Sequence, residues 1–207
     1  MDIRNFFFKF RGFTPIPIGV MIIYFSRPAN AYLPLGIALL LGGELIRIWA
    51  VSYAGGETRT RNVGASKLCS SGPYAFVRNP LYVGNMMMYV GIVFIAGAAN
   101  TLLMAATTAL FFLIQYSLII SLEEETLNKL FRGNYIDYKK NVPAICPRLT
   151  PWNNDDNRTP ERFGKTIKIE KRTLQNVSLV LFIIIIRVQY FSSGATDFLV
   201  RSNGISL

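Results

Sequence analysis

The sequence contains no histidine, and only two of its 207 residues are cysteines. The missing histidine excludes a Ser-His-Asp triad, an imidazole base and any metal site with histidine ligands. Cys69 and Cys146 do not form a metal-ligand cluster, so both are predicted to be ordinary thiols and no metal is expected. The chemistry of the protein therefore has to rest on other side chains.

Charged residues are also scarce, at 16% of the chain, whereas 51% of the residues are hydrophobic. The apolar residues come in blocks that are apolar all round, while a soluble amphipathic helix has one apolar face. Such blocks are typical of helices in a lipid solvent. The formal net charge is +10, and its Lys and Arg residues lie between the apolar blocks. This placement favours the membrane surface over nucleic acid as the partner.

Five apolar blocks predict an all-α fold, a polytopic membrane bundle of about five transmembrane helices forming one domain over residues 1–207. Lys and Arg collect on the cytoplasmic side of membrane proteins. Five crossings and a cytoplasmic N-terminus put every basic cluster on that side, including Arg59 and Arg61, and leave only Arg27 and Arg201 opposite. The predicted blocks are residues 13–25, 33–53, 81–98, 101–122 and 176–191.

The first twelve residues mix aromatic and basic side chains and have no small-residue cleavage site. We therefore expect them to stay attached as an interfacial anchor rather than to be removed as a signal peptide. In the second block, Glu44 and Arg47 lie three residues apart on one helix face. They either neutralise each other as a structural pair or face the bundle interior in a functional role.

A first polar segment, residues 71–85, combines a turn, a positive charge and a helix start. Gly72-Pro73 is a turn signal, and Pro80 opens a helix with Asn79 as a possible N-cap. The N–H groups of a helix N-terminus suit an anion, and Arg78 adds a charge that binds carboxylates. The alternative is a plain interfacial cap on a membrane helix.

A second polar segment begins with three consecutive carboxylates, Glu123, Glu124 and Glu125, at the end of the fourth block. The helix macrodipole disfavours anions at that end of a helix. A cation or an amine-bearing partner accounts for them better than membrane topology does. The alternative is a solvated charge run before an amphipathic helix.

Together the two segments contain an ordered array of residues: Gly72, Pro73, Tyr74, Arg78, Asn79, Pro80, Leu81, Tyr82, Gly84, Glu123, Glu124, Leu127, Phe131, Tyr135, Tyr138 and Pro143. Over about residues 42–148 this array resembles the isoprenylcysteine carboxyl methyltransferase and phospholipid methyltransferase superfamily. The family pattern is G-x-Y, R-H-P-x-Y, a membrane hairpin, E-E-x-x-L-x-x-x-F-G-x-x-Y-x-x-Y and a proline. Two departures are Asn79, which replaces the family histidine and cannot titrate, and Phe131-Arg132-Gly133, which interrupts the family Phe-Gly pair.

The resemblance implies an integral membrane methyltransferase that uses S-adenosylmethionine, releases S-adenosylhomocysteine and acts on a lipophilic acceptor from the bilayer. It implies a cofactor pocket between the two segments at the cytoplasmic face, with Glu124, Arg78 and Asn79 as catalytic residues. Residues 149–207, a basic cytoplasmic segment and an additional C-terminal transmembrane helix, lie outside the resemblance. The cofactor-binding residues implied are Gly72, Tyr74, Arg78, Asn79, Leu81, Tyr82, Glu123, Glu124 and Tyr135.

Several alternatives stay open from the sequence. The acceptor is an isoprenylcysteine carboxylate, a phospholipid head group or another isoprenoid, and the oligomeric state is undetermined. The run Met86-Met87-Met88 either lines a lateral tunnel, since thioethers adapt to irregular apolar shapes, or faces lipid. The rival functions are an NADPH-dependent enzyme resembling membrane sterol reductases and a non-enzymatic membrane scaffold.

Overall fold

The computed structural model describes residues 2–27, 31–56, 64, 67–153 and 155–202, with side chains as far as residue 190. Arg59, Arg61 and the side chain of Arg201 lie outside the described residues. Every regular element in the described part of the chain is helical, which confirms the predicted all-α class. The elements are α1 (Ile3–Lys9), α2 (Ile16–Phe25), α3 (Leu33–Ala54), a 3-10 turn (Gly72–Ala75), α4 (Pro80–Ala96), α5 (Thr101–Asn141) and α6 (Phe163–Ser202).

Each predicted apolar block falls on one helix, but the helices differ in length. Among the described residues α3, α5 and α6 are long and apolar enough to cross a membrane. The helices α2 and α4 are equally apolar but have only 10 and 17 residues, fewer than the roughly 20 that a full span needs. The chain is therefore a multi-pass membrane protein with three full-length spans and two shorter apolar helices.

Two predicted boundaries are wrong. The helix α5 continues past the apolar stretch 101–122 to Asn141, and α6 begins at Phe163 rather than near residue 176. Apolarity marks the part of a helix that meets lipid, whereas polar residues such as Glu and Lys also have high helix propensity. Both helices therefore continue past their apolar stretches as polar segments, and these segments contribute Glu123, Glu124, Tyr135 and Glu170 to the site described below.

The helices α3 and α4 pack backbone against backbone through glycines. A Cβ atom on Gly43 would lie 2.6 Å from the carbonyl oxygen of Gly84, and one on Gly84 would lie 2.7 Å from that of Gly43. Gly36 and Gly91 repeat this contact one heptad away, with a Cβ on Gly36 at 2.8 Å from the Gly91 carbonyl oxygen. Small residues allow membrane helices to approach closely enough for strong van der Waals packing. This close pairing fixes the position of the polar side chains that α3 and α4 contribute to the interior.

Aromatic side chains join α4 to α5 along the same interior. The rings of Tyr89 and Phe112 are stacked with centroids 4.2 Å apart, and those of Tyr82 and Tyr116 are stacked at 4.5 Å. Such offset pairs add about 0.5–1.5 kcal/mol beyond the area they bury. A separate small cluster of Tyr135, Tyr138 and Val142 is buried where α5 ends.

The N-terminal helix α1 is held at the polar end of α5. Asp2 caps α1 by accepting a hydrogen bond from the backbone N–H of Arg4, and Arg4 in turn donates to Ser121 and Glu125 at 3.0 and 3.1 Å. Ile3 and Phe6 remain exposed while Phe8 is buried. Exposed apolar side chains beside basic residues are typical of interfacial helices, and the anchor stays a prediction. The N-terminus and the end of α5 therefore share one side of the bundle.

Candidate functional site

The two polar segments meet in an ion pair between Arg78 and Glu124. The Nε and Nη2 atoms of Arg78 donate to Oε1 of Glu124 at 3.2 and 2.5 Å, and Nζ of Lys139 lies 2.7 Å from Oε2. Burial alone raises the pKa of Glu124, but hydrogen bonds from Lys139 and Arg78 outweigh this and hold the pKa below its ordinary value. Glu124 is therefore charged, and one of the roughly four lone-pair positions of a carboxylate stays available to a ligand.

Arg78 also connects the chain before α4 to the chain after α5. Its Nη1 donates to the backbone carbonyls of Lys139 and Val142, and its backbone N–H donates to the carbonyl of Pro143 at 2.9 Å. Two more backbone bonds join the same stretches, from Arg148 N–H to the Phe76 carbonyl and from Trp152 N–H to the Ala75 carbonyl. The segments at 75–78 and 143–152 are therefore fastened together, with Arg78 at one end of this contact.

Asn79 occupies the predicted N-cap position of α4, but its side chain does not cap the helix. That side chain makes no capping hydrogen bond, and its Nδ2 instead donates to the carbonyl of Ala144 at 3.0 Å. Pro80 opens α4 as predicted, since its missing N–H costs nothing at the first position. The N–H groups of Tyr82 and Val83 donate to the Asn79 carbonyl at 3.1 and 3.2 Å, which leaves the N–H of Leu81 as the candidate donor of this turn.

Glu123 lies one residue beyond the apolar stretch of α5 and faces α4. Its Oε1 accepts a hydrogen bond from the hydroxyl of Tyr82 at 3.0 Å. Burial raises the pKa of Glu123 to about 7, although the Tyr82 hydrogen bond and the nearby charge of Arg11 act in the opposite direction. A carboxyl group that changes protonation near neutral pH has the properties of a general acid or base.

Three further predicted residues, Tyr74, Tyr135 and Gly72, have different structural roles. The hydroxyl of Tyr138 donates to the carbonyl of Tyr74 at 2.7 Å, which joins the 3-10 turn to α5. Burial raises the pKa of both Tyr74 and Tyr135, so both phenols stay protonated. Gly72 has a φ of +57°, and a Cβ there would lie 2.6 Å from the ring of Tyr53. Gly72 is therefore required by the turn and its packing.

A cavity of about 550 Å³ opens between these elements. Its size is within the range of roughly 300–1,000 Å³ that is usual for small-molecule sites. Gly72 is absent from its lining, whereas Cys69 is present, and burial raises the pKa of that thiol to about 11. The structure brings eight of the nine predicted cofactor-binding residues to its walls: Tyr74, Arg78, Asn79, Leu81, Tyr82, Glu123, Glu124 and Tyr135.

Sequence reasoning missed a second polar cluster in the same cavity. Nη2 of Arg47 lies 3.0 and 2.7 Å from the two carboxylate oxygens of Glu170, and Nη1 donates to Oδ1 of Asn85 at 2.5 Å. Glu170 is fully buried and Arg47 is 7% exposed. Arg47 therefore faces the interior of the bundle, where Glu170 compensates its charge. The available signal was that Thr166, Glu170 and Thr173 share one helix face within a basic stretch.

Part of the cavity lining, including Arg78 and Glu124, lies in a region with known relatives. Residues 32–134, about half of the chain, match the family model described as phospholipid methyltransferase. The chain belongs to the isoprenylcysteine carboxyl methyltransferase and phospholipid methyltransferase superfamily. The match includes Arg78, Glu123 and Glu124 and ends just before Tyr135.

Three curated proteins are similar to this superfamily member. The nickel-cobalt-cadmium resistance protein NccN of Alcaligenes xylosoxydans xylosoxydans is 32% identical over 121 residues, 58% of this chain and 51% of that protein. The cobalt-zinc-cadmium resistance protein CzcN of Cupriavidus metallidurans is 32% identical over 125 residues, covering 60% and 52%. Protein-S-isoprenylcysteine O-methyltransferase of Xenopus laevis is 30% identical over 117 residues, covering 55% and 40%.

The chain spans about half the length of the first two curated relatives and less of the third. No solved structure matches it. Two relatives are named for metal resistance, but within the described ranges no three His, Cys, Asp or Glu side chains are grouped to hold a metal ion. The family description and the third relative both name methyltransferases, which makes methyl transfer the class of reaction to test.

Proposed function

We propose that this protein is an integral membrane methyltransferase that uses S-adenosylmethionine and acts on a lipophilic acceptor. The observation that carries the proposal is the contact between Arg78 and Glu124 at one end of a cavity large enough for a cofactor. These residues are 46 positions apart and come from the two segments that resemble the family. Membership of the superfamily supports the same reaction class.

The side chains around the ion pair suit the functional groups of S-adenosylmethionine. The remaining lone pair of Glu124 accepts a hydrogen bond from an ammonium group or a ribose hydroxyl. The N–H of Leu81 and the positive dipole end of α4, next to Asn79, suit the cofactor carboxylate. Tyr74, Tyr82 and Tyr135 offer aromatic surface, which attracts a sulfonium cation by roughly 0.5–2 kcal/mol.

Arg78 acts on Glu124 in this arrangement more than on the cofactor. Most of its N–H donors are already used by Glu124 and by the carbonyls of Lys139 and Val142. We therefore assign Arg78 the role of positioning the Glu124 carboxylate and closing the wall behind it. Asn79 has a similar role, because its amide holds the Ala144 carbonyl next to the start of α4.

When bound beside Glu124 and Leu81, the cofactor would supply an electrophilic methyl group on a positively charged sulfur. The residues of the chain align the acceptor with that methyl group and exclude water. A carboxylate acceptor reacts without losing a proton. An amine acceptor has to lose one, and Glu123, with a pKa of about 7 and a position in the cavity wall, is the base that we assign to it.

The acceptor is proposed to enter from the bilayer. In the methionine run only Met88 lines the cavity, while the Cε atom of Met87 lies 3.3 Å from where a Cβ on Gly42 would be. The tunnel interpretation therefore applies to Met88 alone. The class of acceptor is proposed to be an isoprenylcysteine carboxylate, a phospholipid head group or another isoprenoid.

The site is proposed to face the cytoplasm. The contact of Arg4 with Ser121 and Glu125 supports one common side for the N-terminus and the polar end of α5. Lys9 and Arg11 lie there too and line the cavity. Under the positive-inside rule this basic side is the cytoplasmic one. Cysteine-accessibility labelling of an N-terminal position in intact cells and in inverted vesicles tests the orientation.

Binding of methyl-labelled S-adenosylmethionine to the purified protein tests the proposed cofactor. We expect Glu124→Gln to weaken binding at least tenfold, because the charged acceptor for the cofactor ammonium or hydroxyl is lost. The matched control is Glu125→Gln in the same carboxylate run, since Glu125 pairs with Arg4 and Lys129 outside the cavity lining. Equal affinity of Glu124→Gln and wild type, or displacement of the label by NADPH, contradicts the proposal.

A further inference from the structure

The walls of the cavity have two origins. Arg78, Glu123 and Glu124 lie within residues 32–134, the part that matches the family. The opposite walls come from the N-terminal segment and from α6, both outside that match. The family region therefore supplies Arg78, Glu123 and Glu124 at the end assigned to the methyl donor, while α6 and the N-terminal segment supply further walls.

One face of α6 changes from polar to apolar along the cavity. The residues Glu170, Thr173, Asn176, Val177 and Val180 line it at helical spacings of three or four, with one adjacent pair. The polar members come first, and the valines follow deeper in the predicted membrane span.

The polar end of this face is fixed against α3. Nη2 of Arg47 donates to both oxygens of Glu170 and to Oγ1 of Thr173 at 3.1 Å. Because the charges of Arg47 and Glu170 compensate each other, the pair positions α6 without requiring a charged ligand. Asn176, one turn further, is exposed and presents an amide that both donates and accepts hydrogen bonds at the edge of the cavity.

The apolar end continues onto the N-terminal segment. Phe13, which is 66% exposed, and Pro15 line the cavity together with Val177 and Val180 of α6. Ile92 of α4 adds apolar surface within the cavity. A molecule with a polar head and an apolar chain matches this gradient along its whole length.

We propose that the Glu170–Val180 face of α6 is the subsite for the methyl acceptor, and that it binds the head group and first chain segment of a membrane amphiphile. The inference rests on the proposed function, since it assigns the acceptor end of the same cavity. Thr173 and Asn176 contact the head group, and Val177 and Val180 contact the chain. Acceptor choice is thus set by segments outside the family region.

The test uses the full-length protein in nanodiscs, methyl-labelled S-adenosylmethionine and total lipid extracted from membranes of the expression host. Thr173→Val and Asn176→Leu should each lower labelled lipid product at least tenfold while cofactor affinity stays within twofold. The matched controls are Ser178→Val and Gln175→Leu, exposed positions of α6 outside the cavity lining. Both controls should keep wild-type product formation.

A second measurement separates this inference from the proposed function. Native mass spectrometry of gently purified protein should show an amphiphile bound to wild type and to both controls, but depleted at least fivefold in Thr173→Val and Asn176→Leu. If wild type transfers no methyl group yet shows this depletion, the proposed function fails and the amphiphile site stands. Unchanged product and unchanged lipid retention in both variants overturn the inference.

Discussion

Arg78 supports the Glu124 carboxylate from one side while its Nη1 is bonded to two backbone carbonyls behind it. A lysine carries the same charge on one nitrogen and cannot make this forked set of bonds. We expect Arg78→Lys to lower the free energy of unfolding by about 2 kcal/mol and to weaken cofactor binding at least tenfold. Thermal unfolding in detergent and calorimetric titration measure the two effects.

Lys129→Ala is the control for this change, since Lys129 forms an exposed ion pair with Glu125. Such surface pairs contribute about 0–1 kcal/mol, so the melting temperature should hardly move. A wild-type melting temperature and affinity in Arg78→Lys would show that the forked contacts have no energetic role.

Asn79 replaces the family histidine, and its Nδ2 donates to the Ala144 carbonyl. A neutral imidazole also carries one N–H donor, so we expect Asn79→His to retain folding and at least half of the cofactor affinity. Asn79→Leu keeps the volume but removes the donor and leaves a carbonyl without this bond. It should lower the free energy of unfolding by about 1–3 kcal/mol. Equal stability of the two variants would contradict the assigned contact.

The raised pKa of Glu123 predicts that the free energy of unfolding depends on pH. Its pKa is raised from 4.5 in the unfolded chain to about 7 by burial. Between these values the unfolded chain releases a proton that the folded protein retains, so stability is highest below pH 4.5 and falls as the pH rises to about 7. Glu123→Gln does not titrate and avoids this loss, which reaches the order of 3 kcal/mol for the complete shift.

Melting temperatures of wild type and Glu123→Gln, recorded from pH 5 to pH 8, measure this effect. The two proteins should be closest at pH 5, and the glutamine variant should become progressively more stable as the pH rises. Glu125→Gln should show no such trend, because Glu125 is exposed. A constant difference between wild type and Glu123→Gln would exclude titration of this group in the window.

Features of this protein that depend on neighbouring residues in the sequence could be predicted, whereas contacts between distant helices could not. The sequence predicts Arg78, Asn79 and Glu124 as site residues because turn, helix-start and charge signals surround them and the resemblance orders them. The ion pair of Arg47 with Glu170 was missed because the two residues are 123 positions apart and meet only through the packing of α6 against α3. The start of α6 at Phe163 was missed because its first turns are polar, so a search for apolar blocks does not detect them.

Gly43 and Gly42 are adjacent glycines of α3 in different surroundings. A Cβ on Gly43 would lie 2.6 Å from the backbone carbonyl oxygen of Gly84, whereas one on Gly42 would meet only the flexible Cε of Met87 at 3.3 Å. Gly43→Ala should therefore separate α3 from α4 and destabilise by about 2–3 kcal/mol. Gly42→Ala should change stability by less than about 0.5 kcal/mol. Paired melting curves test this, and equal effects would contradict the backbone contact of α3 with α4.

Arg132 interrupts the long helix α5 with a φ of +44° and a ψ of −118°. Residues with a side chain seldom adopt this backbone conformation, and holding one there costs of the order of 1–3 kcal/mol. Glycine carries no such penalty, so Arg132→Gly should raise the free energy of unfolding by about 1 kcal/mol. The control Asn128→Gly lies on a regular, exposed turn of the same helix and should instead lose about 0.5 kcal/mol. Melting curves of the two variants should therefore shift in opposite directions, and a loss of stability in both would show that α5 is continuous through residue 132.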